Sequence, residues 1–177
     1  MTYFITAVLM IMFAAFSRLL PHPANFAPVA AIALFSGVYV NRKFALAVPA
    51  AAMLLSDMFL GFHSQMVWVY GSFALITIAG IFLKKKMNER TGKKLAYIFG
   101  TTLFSSVVFF IVTNFGVWTG GYYGPGINGL IECYVAAVPF FRNSLAGDVF
   151  YVAVMFGIYG LLNKYLFKAA GEIERVK

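Results

Sequence analysis

The sequence predicts an all-α, polytopic membrane bundle of six transmembrane helices with both termini on the inner side. Three observations carry that prediction. The first is composition: 62% of the 177 residues are apolar and only 11% are charged, with mean hydropathy +0.83. A soluble domain averages about half and about a quarter. The second is that the apolar residues fall into six stretches separated by short polar or glycine-rich segments. The third is the placement of charge. Of the 14 Lys and Arg residues, all but Arg18 and Arg142 fall in every second connection or in the C-terminal tail. They are Arg42 and Lys43, then Lys84, Lys85, Lys86, Arg90, Lys93 and Lys94, then Lys164, Lys168, Arg175 and Lys177. Positive residues collect on the cytoplasmic side of membrane proteins. Arg18, His22, Asp57, His63, Glu132, Arg142 and Asp148 therefore belong to the outer half.

Each element follows in order. Residues 3–20 form a first span, which the PHPAN sequence at 21–25 breaks. The N-terminal MTYFITAVLM lacks the basic start of a signal peptide and is expected to be retained. The second span, 26–40, is short against the usual ~20 residues, and Asn41–Lys43 is a tight basic turn. The third, 44–62, contains Pro49, which should kink it. The fourth covers 66–83 and precedes the basic run KKKMNERTGKK, and the fifth covers 95–115. Residues 116–130 hold six glycines and Pro125 among Trp118, Tyr122 and Tyr123. Such a segment is expected to be an outer loop, because irregular backbone cannot face lipid. Ile131–Phe141 is then a short re-entrant or surface helix, and the sixth span runs over 143–167. The whole chain, 1–177, is one integral membrane domain.

Composition also excludes functions. The chain has no room for an attached ATPase or soluble enzyme. Its net charge of +8 lines one membrane face without a base-stacking module, so anionic lipid rather than nucleic acid is the expected neighbour. The single cysteine, Cys133, forms no intrachain disulfide and reads as a small buried apolar residue. His22 and His63 read as turn residues at the membrane interface. No metal or other cofactor is expected, and no nucleophile–base motif of a membrane hydrolase occurs.

The polar residues at depth point to a site. A charge inside a span costs a few kcal/mol and usually faces a bundle interior or a wet cavity. Asp57 sits about 7 Å below the outer end of its span, and Asp148 about 9 Å past Arg142, at 1.5 Å per residue. Ser144, Asp148 and Tyr151 share one helical face. Arg18, Asn114 and Trp118 end their spans at a similar level. Pairing as interhelical ties accounts for any one of these charges, but the set exceeds what tying six helices requires. The expected substrate-binding residues are Arg18, Asn25, Asp57, His63, Asn114, Trp118, Tyr122, Tyr123, Arg142, Asn143, Asp148 and Tyr151. Arg18 and Arg142 would grip an anionic group, each lying within hydrogen-bond reach of Asp57, Asp148 or Glu132. The three loop aromatics would act as a lid over a planar ring.

Four segments carry a resemblance: SRLLPHPANFAPVAAIALFSG (17–37), LLSDMFLGFH (54–63), NFGVW (114–118) and PFFRNSLAGDVFY (139–151). They resemble an uncharacterised family of bacterial six-span proteins labelled as transporters. That family is in turn similar to the substrate-binding S components of energy-coupling-factor (ECF) vitamin transporters. The resemblance implies a protein of the bacterial inner membrane that takes up a small vitamin-like or anionic organic nutrient. It also implies a coupling subunit and ATPases as partners. S components dock through AxxxA positions, usually in the first helix, but here the pattern occurs at Ala27–Ala31 and Ala47–Ala51. A solo transporter driven by an ion gradient is the variant reading. A small enzyme of the outer face, or a non-catalytic assembly protein, are the alternatives from other classes.

Overall fold

The structure, a computed structural model, describes residues 2–21 and 23–175, with side chains over 8–21 and 23–164. His22 and Lys177 lie outside the described residues. All regular structure among the described residues is helical: α1 (Thr2–Leu19), α2 (Val29–Tyr39), α3 (Arg42–Ala45), α4 (Ala47–Leu60), α5 (Met66–Leu83), α6 (Thr91–Thr119) and α7 (Gly126–Arg175), with a 3₁₀ turn at Lys84–Lys86. Four stretches are long and apolar enough to cross a membrane: Arg42–Leu60, Met66–Lys86, Thr91–Thr119 and Gly126–Lys164. The described part of α1 from Val8, and all of α2, are shorter.

Helix α2 is the core of the molecule. Its 11 residues rise only ~16 Å, about half the ~30 Å thickness of a bilayer's hydrocarbon, and ten of them, Val29–Val38, are buried. A helix apolar on every side belongs inside something, and here protein surrounds it: α5 and α4 on one side, α7 on another, with lesser contact to α1 and α6. Where α2 crosses α5, both helices carry glycine. A Cβ added at Gly37 would run into the Thr77 carbonyl, and one added at Gly80 into the Leu34 carbonyl. Backbone therefore lies on backbone at that point.

Pro49 produces a break rather than a mid-helix kink. It sits in the first turn of α4, where a missing N–H costs least, and the regular hydrogen bonding is interrupted at Leu46, whose own backbone stays right-handed helical. Proline cannot donate to the carbonyl four residues earlier, that of Ala45. The Ser36 hydroxyl donates to it instead, at 2.9 Å. At its other end α4 stops at Gly61, whose φ of 93° suits glycine and whose N–H donates to the Asp57 carbonyl at 2.9 Å.

The glycine-rich region departs most from expectation. In place of a loop over 116–130, a separate helix over 131–141 and a span from Asn143, α6 continues to Thr119. A turn of six residues, Gly120–Pro125, follows, and α7 then runs unbroken from Gly126 through Pro139. Gly116, Gly120 and Gly129 are packing positions, whereas Gly121, Gly124 and Gly126 supply the positive φ of the turn. Gly116 is buried with its Cα against the Trp68 indole, and Gly129 lies against the Tyr123 and Gly124 carbonyls. Away from water, a helix satisfies its own backbone whatever its side chains. Tyr134 and Phe141, two turns apart on α7, clasp Phe110 of α6 with ring centroids at 5.4 and 4.9 Å.

Candidate functional site

The turns after α1, α4 and α6 gather at the end of the bundle opposite the basic connections. Gln65 lies beside Gly116 and Gly120 and shares a cavity with Asn25. Two cavities open here. The larger, about 330 Å³, reaches from Asn25 and His63 down to Ser144 and Asp148 and exposes Phe73 and Phe109 on its walls. The smaller, about 200 Å³, lies between α6 and α7 near Thr113 and Asn114. They adjoin at Asn25, Val69, Phe109 and Ser144. Asn25 reaches this junction from a backbone with φ of 63°, a left-handed position that asparagine tolerates.

Two carboxylates sit at this level. Asp57 is fully buried on α4. Arg18 of α1 donates to its Oδ1 at 2.7 Å and Tyr70 of α5 to its Oδ2 at 2.9 Å. The same guanidinium nitrogen bonds the Ser56 hydroxyl and, at 3.4 Å, the Met53 carbonyl. Three helices are thus tied at one buried charge pair. Asp148 on α7 is 5% exposed and receives one hydrogen bond, from Ser106 of α6 to Oδ2 at 2.7 Å. Its Oδ1 has no partner among the described residues, nor has the Ser144 hydroxyl one turn earlier. Neither atom is sealed: among the described residues the buried side-chain polar atoms lacking a partner are Gln65 Oε1 and Trp118 Nε1. Ser144 and Asp148 both line the larger cavity.

The expected site residues divide accordingly. Arg18, Asn25, His63 and Asp148 line the larger cavity and Asn114 the smaller. Asp57 stands behind Arg18 without lining either. Tyr151 stacks on Phe26, with centroids at 5.5 Å. Asn143 is half-buried and lines neither cavity. The expectation that both arginines pair with nearby carboxylates holds for Arg18 and fails for Arg142. Arg142 is exposed, lines no cavity, and makes no ion pair among the described residues. At 100° per residue it lies about 200° around α7 from Ser144, on the opposite face. Glu132 is likewise exposed.

The expected lid is absent from its place. Tyr122 and Tyr123 are exposed at 68% and 36% and line neither cavity, and Trp118 packs on Phe115 at 5.5 Å. With α6 extending to Thr119, only residues 120–125 remain outside helix at this connection. Sequence reasoning missed Tyr70, Ser106 and the phenyl walls Phe73 and Phe109. A hydroxyl midway along an apolar span was a readable signal for Ser106, whereas the phenylalanines are indistinguishable from the others that face outward. No group of three or more His, Cys, Asp or Glu among the described residues could hold a metal ion. Cys133 is buried and its thiol donates to the Asn114 carbonyl at 3.3 Å, as a packed helix residue does.

No curated protein and no solved structure matches the chain. One family model does match, over residues 1–170, and its description is a family of unknown function. The chain belongs to that family, DUF6580.

Proposed function

We propose that this protein is a membrane-embedded binding component for uptake of a small organic nutrient, with the paired cavities as its site. In this reading the chain crosses the bacterial inner membrane six times. The basic connections and both termini lie inside, and the cavities lie towards the outside. The observation that carries the proposal is the cavity pair itself. Polar atoms with no protein partner meet phenyl walls inside an apolar bundle, the composition of a small-molecule site. The four family-like segments supply residues to its walls, among them Arg18, His63, Asn114 and Asp148; the link to S components rests on six spans, this length and a site near the outer surface. Energy would come from a coupling subunit with ATPases, or from an ion gradient. Ala31 is fully buried in α2, so of the two AxxxA pairs only Ala47–Ala51 remains open to a partner helix.

Mass spectrometry of the detergent-purified protein should find a bound small molecule. Ser144→Trp, which fills the junction of the two cavities, should expel it. A molecule retained by that variant sits elsewhere, and the reading falls with it. Orientation has its own test: with Cys133 replaced, a cysteine at His63 should react with an impermeant thiol reagent in intact cells. One at Lys85 should not.

A further inference from the structure

The solute's charge can be read from which polar atoms are already committed, given the solute-binding reading above. The larger cavity is lined by one guanidinium, Arg18, one carboxyl group, Asp148, and the exposed imidazole of His63 towards its mouth. The cation, Arg18, is held by Asp57 at 2.7 Å and by two further acceptors, the Ser56 hydroxyl and the Met53 carbonyl. An incoming anion would have to compete with a buried carboxylate, and displacing it would leave Asp57 charged and unpaired at no exposure to water. Arg142, the other candidate anchor for an anion, faces away. Asp148 presents the reverse situation. Its only protein donor is Ser106, on Oδ2, and its Oδ1 opens on the cavity beside the uncommitted Ser144 hydroxyl.

We infer that the solute carries a cationic nitrogen with N–H donors, which docks on Asp148 Oδ1 and Ser144 while its apolar body lies against Phe73 and Phe109. Such a group satisfies the one buried carboxyl group among the described residues that lacks a positive partner, and a charge-assisted hydrogen bond in an apolar cavity is among the strongest a small site can offer. The two rings pack on each other, with centroids 5.3 Å apart and planes 31° from parallel, and form one apolar wall of the cavity. The anionic nutrient implied by two gripping arginines is the opposite charge class, and the geometry disfavours it.

The test uses the purified full chain in detergent and three probes of one shape: benzylamine, benzyl alcohol and benzoate, at neutral pH. Benzylamine should bind about tenfold or more tighter than the alcohol, and benzoate most weakly. Asp148→Asn should weaken benzylamine binding by about ten- to a hundredfold and leave the alcohol unaffected. Asp148→Glu should keep the order of the three probes. If Asp148→Asn fails to accumulate, the order on the native protein and on Ser144→Ala still decides, since Ser144→Ala should weaken benzylamine selectively. Benzoate binding as well as benzylamine, no benzylamine binding at all, or indifference of benzylamine to Asp148→Asn overturns the inference. If one of those outcomes occurs while Ser144→Trp still blocks binding of alcohol or benzoate, the cavity stands as a solute site and only the charge assignment is lost. Retention of the co-purified molecule by Ser144→Trp would remove the site.

Discussion

Asp57 and Asp148 are the same residue type at the same end of one bundle, both almost wholly buried, yet they have opposite surroundings. Asp57 meets a guanidinium and a phenol, and both of its oxygens are occupied. Asp148 has one hydroxyl partner and one oxygen facing a cavity. Burial alone therefore does not distinguish a tie from a site. What does is whether the protein has supplied every partner the group can take. A fully satisfied charge holds helices together; one left partly satisfied in a cavity is available to something else.

The contrast predicts opposite mutational signatures. The largest effect should come from breaking the tie on one side. Arg18→Met leaves Asp57 buried without its cation and should lower stability by about 3–5 kcal/mol, read as thermal unfolding in detergent. The double change Arg18→Met with Asp57→Leu should recover most of that loss, because paired removal leaves no orphaned charge. A double variant as unstable as the single would mean that the pair holds something beyond itself. Next comes Tyr70→Phe, which removes one hydrogen bond to the same carboxylate and should lower stability by about 1.5–3 kcal/mol. The smallest effect on stability belongs to Asp148→Asn. The amide can still accept from Ser106, so unfolding should shift by less than about 1 kcal/mol, a neutral partner replacing a charged one in an otherwise unchanged contact. A loss as large as that of Arg18→Met would erase the distinction between the two carboxylates.

Much of this arrangement was legible before any coordinates. The limits of α5 coincide with the fourth expected span, and the depth of Asp57 and Asp148 follows from counting residues. Two things were not legible, each for a physical reason. Hydropathy measures preference for an apolar neighbour without saying whether that neighbour is lipid or protein. The eleven residues of α2 therefore read as a short span with no sign that protein rather than lipid surrounds them. Glycine's cost in helices is calibrated in water, where backbone has an alternative partner. The run around Gly116–Gly129 therefore read as a loop, although most of it is helix packed on Trp68 and on the neighbouring turn. The fates of Arg18 and Arg142 mark the same boundary. Both lie at the expected height, but rotation about the helix axis decides which one faces the interior.

The glycine crossing of α2 and α5 has a mechanical consequence. With backbone seated on backbone at Gly37 and Gly80, no side chain lies between the helices to change rotamer and let them slide. The two should travel as one stiff body, carrying Val29, Ala30, Val69 and Phe73 as a fixed wall of the cavity. Any admission or release of a solute must then be hinged elsewhere. The available hinges are the joint at Leu46, where α4 meets α3, and Pro139 in α7, which lacks the N–H that would stiffen its turn. If the cavity takes a solute, α4 and α7 are then the elements left to bend around that fixed wall.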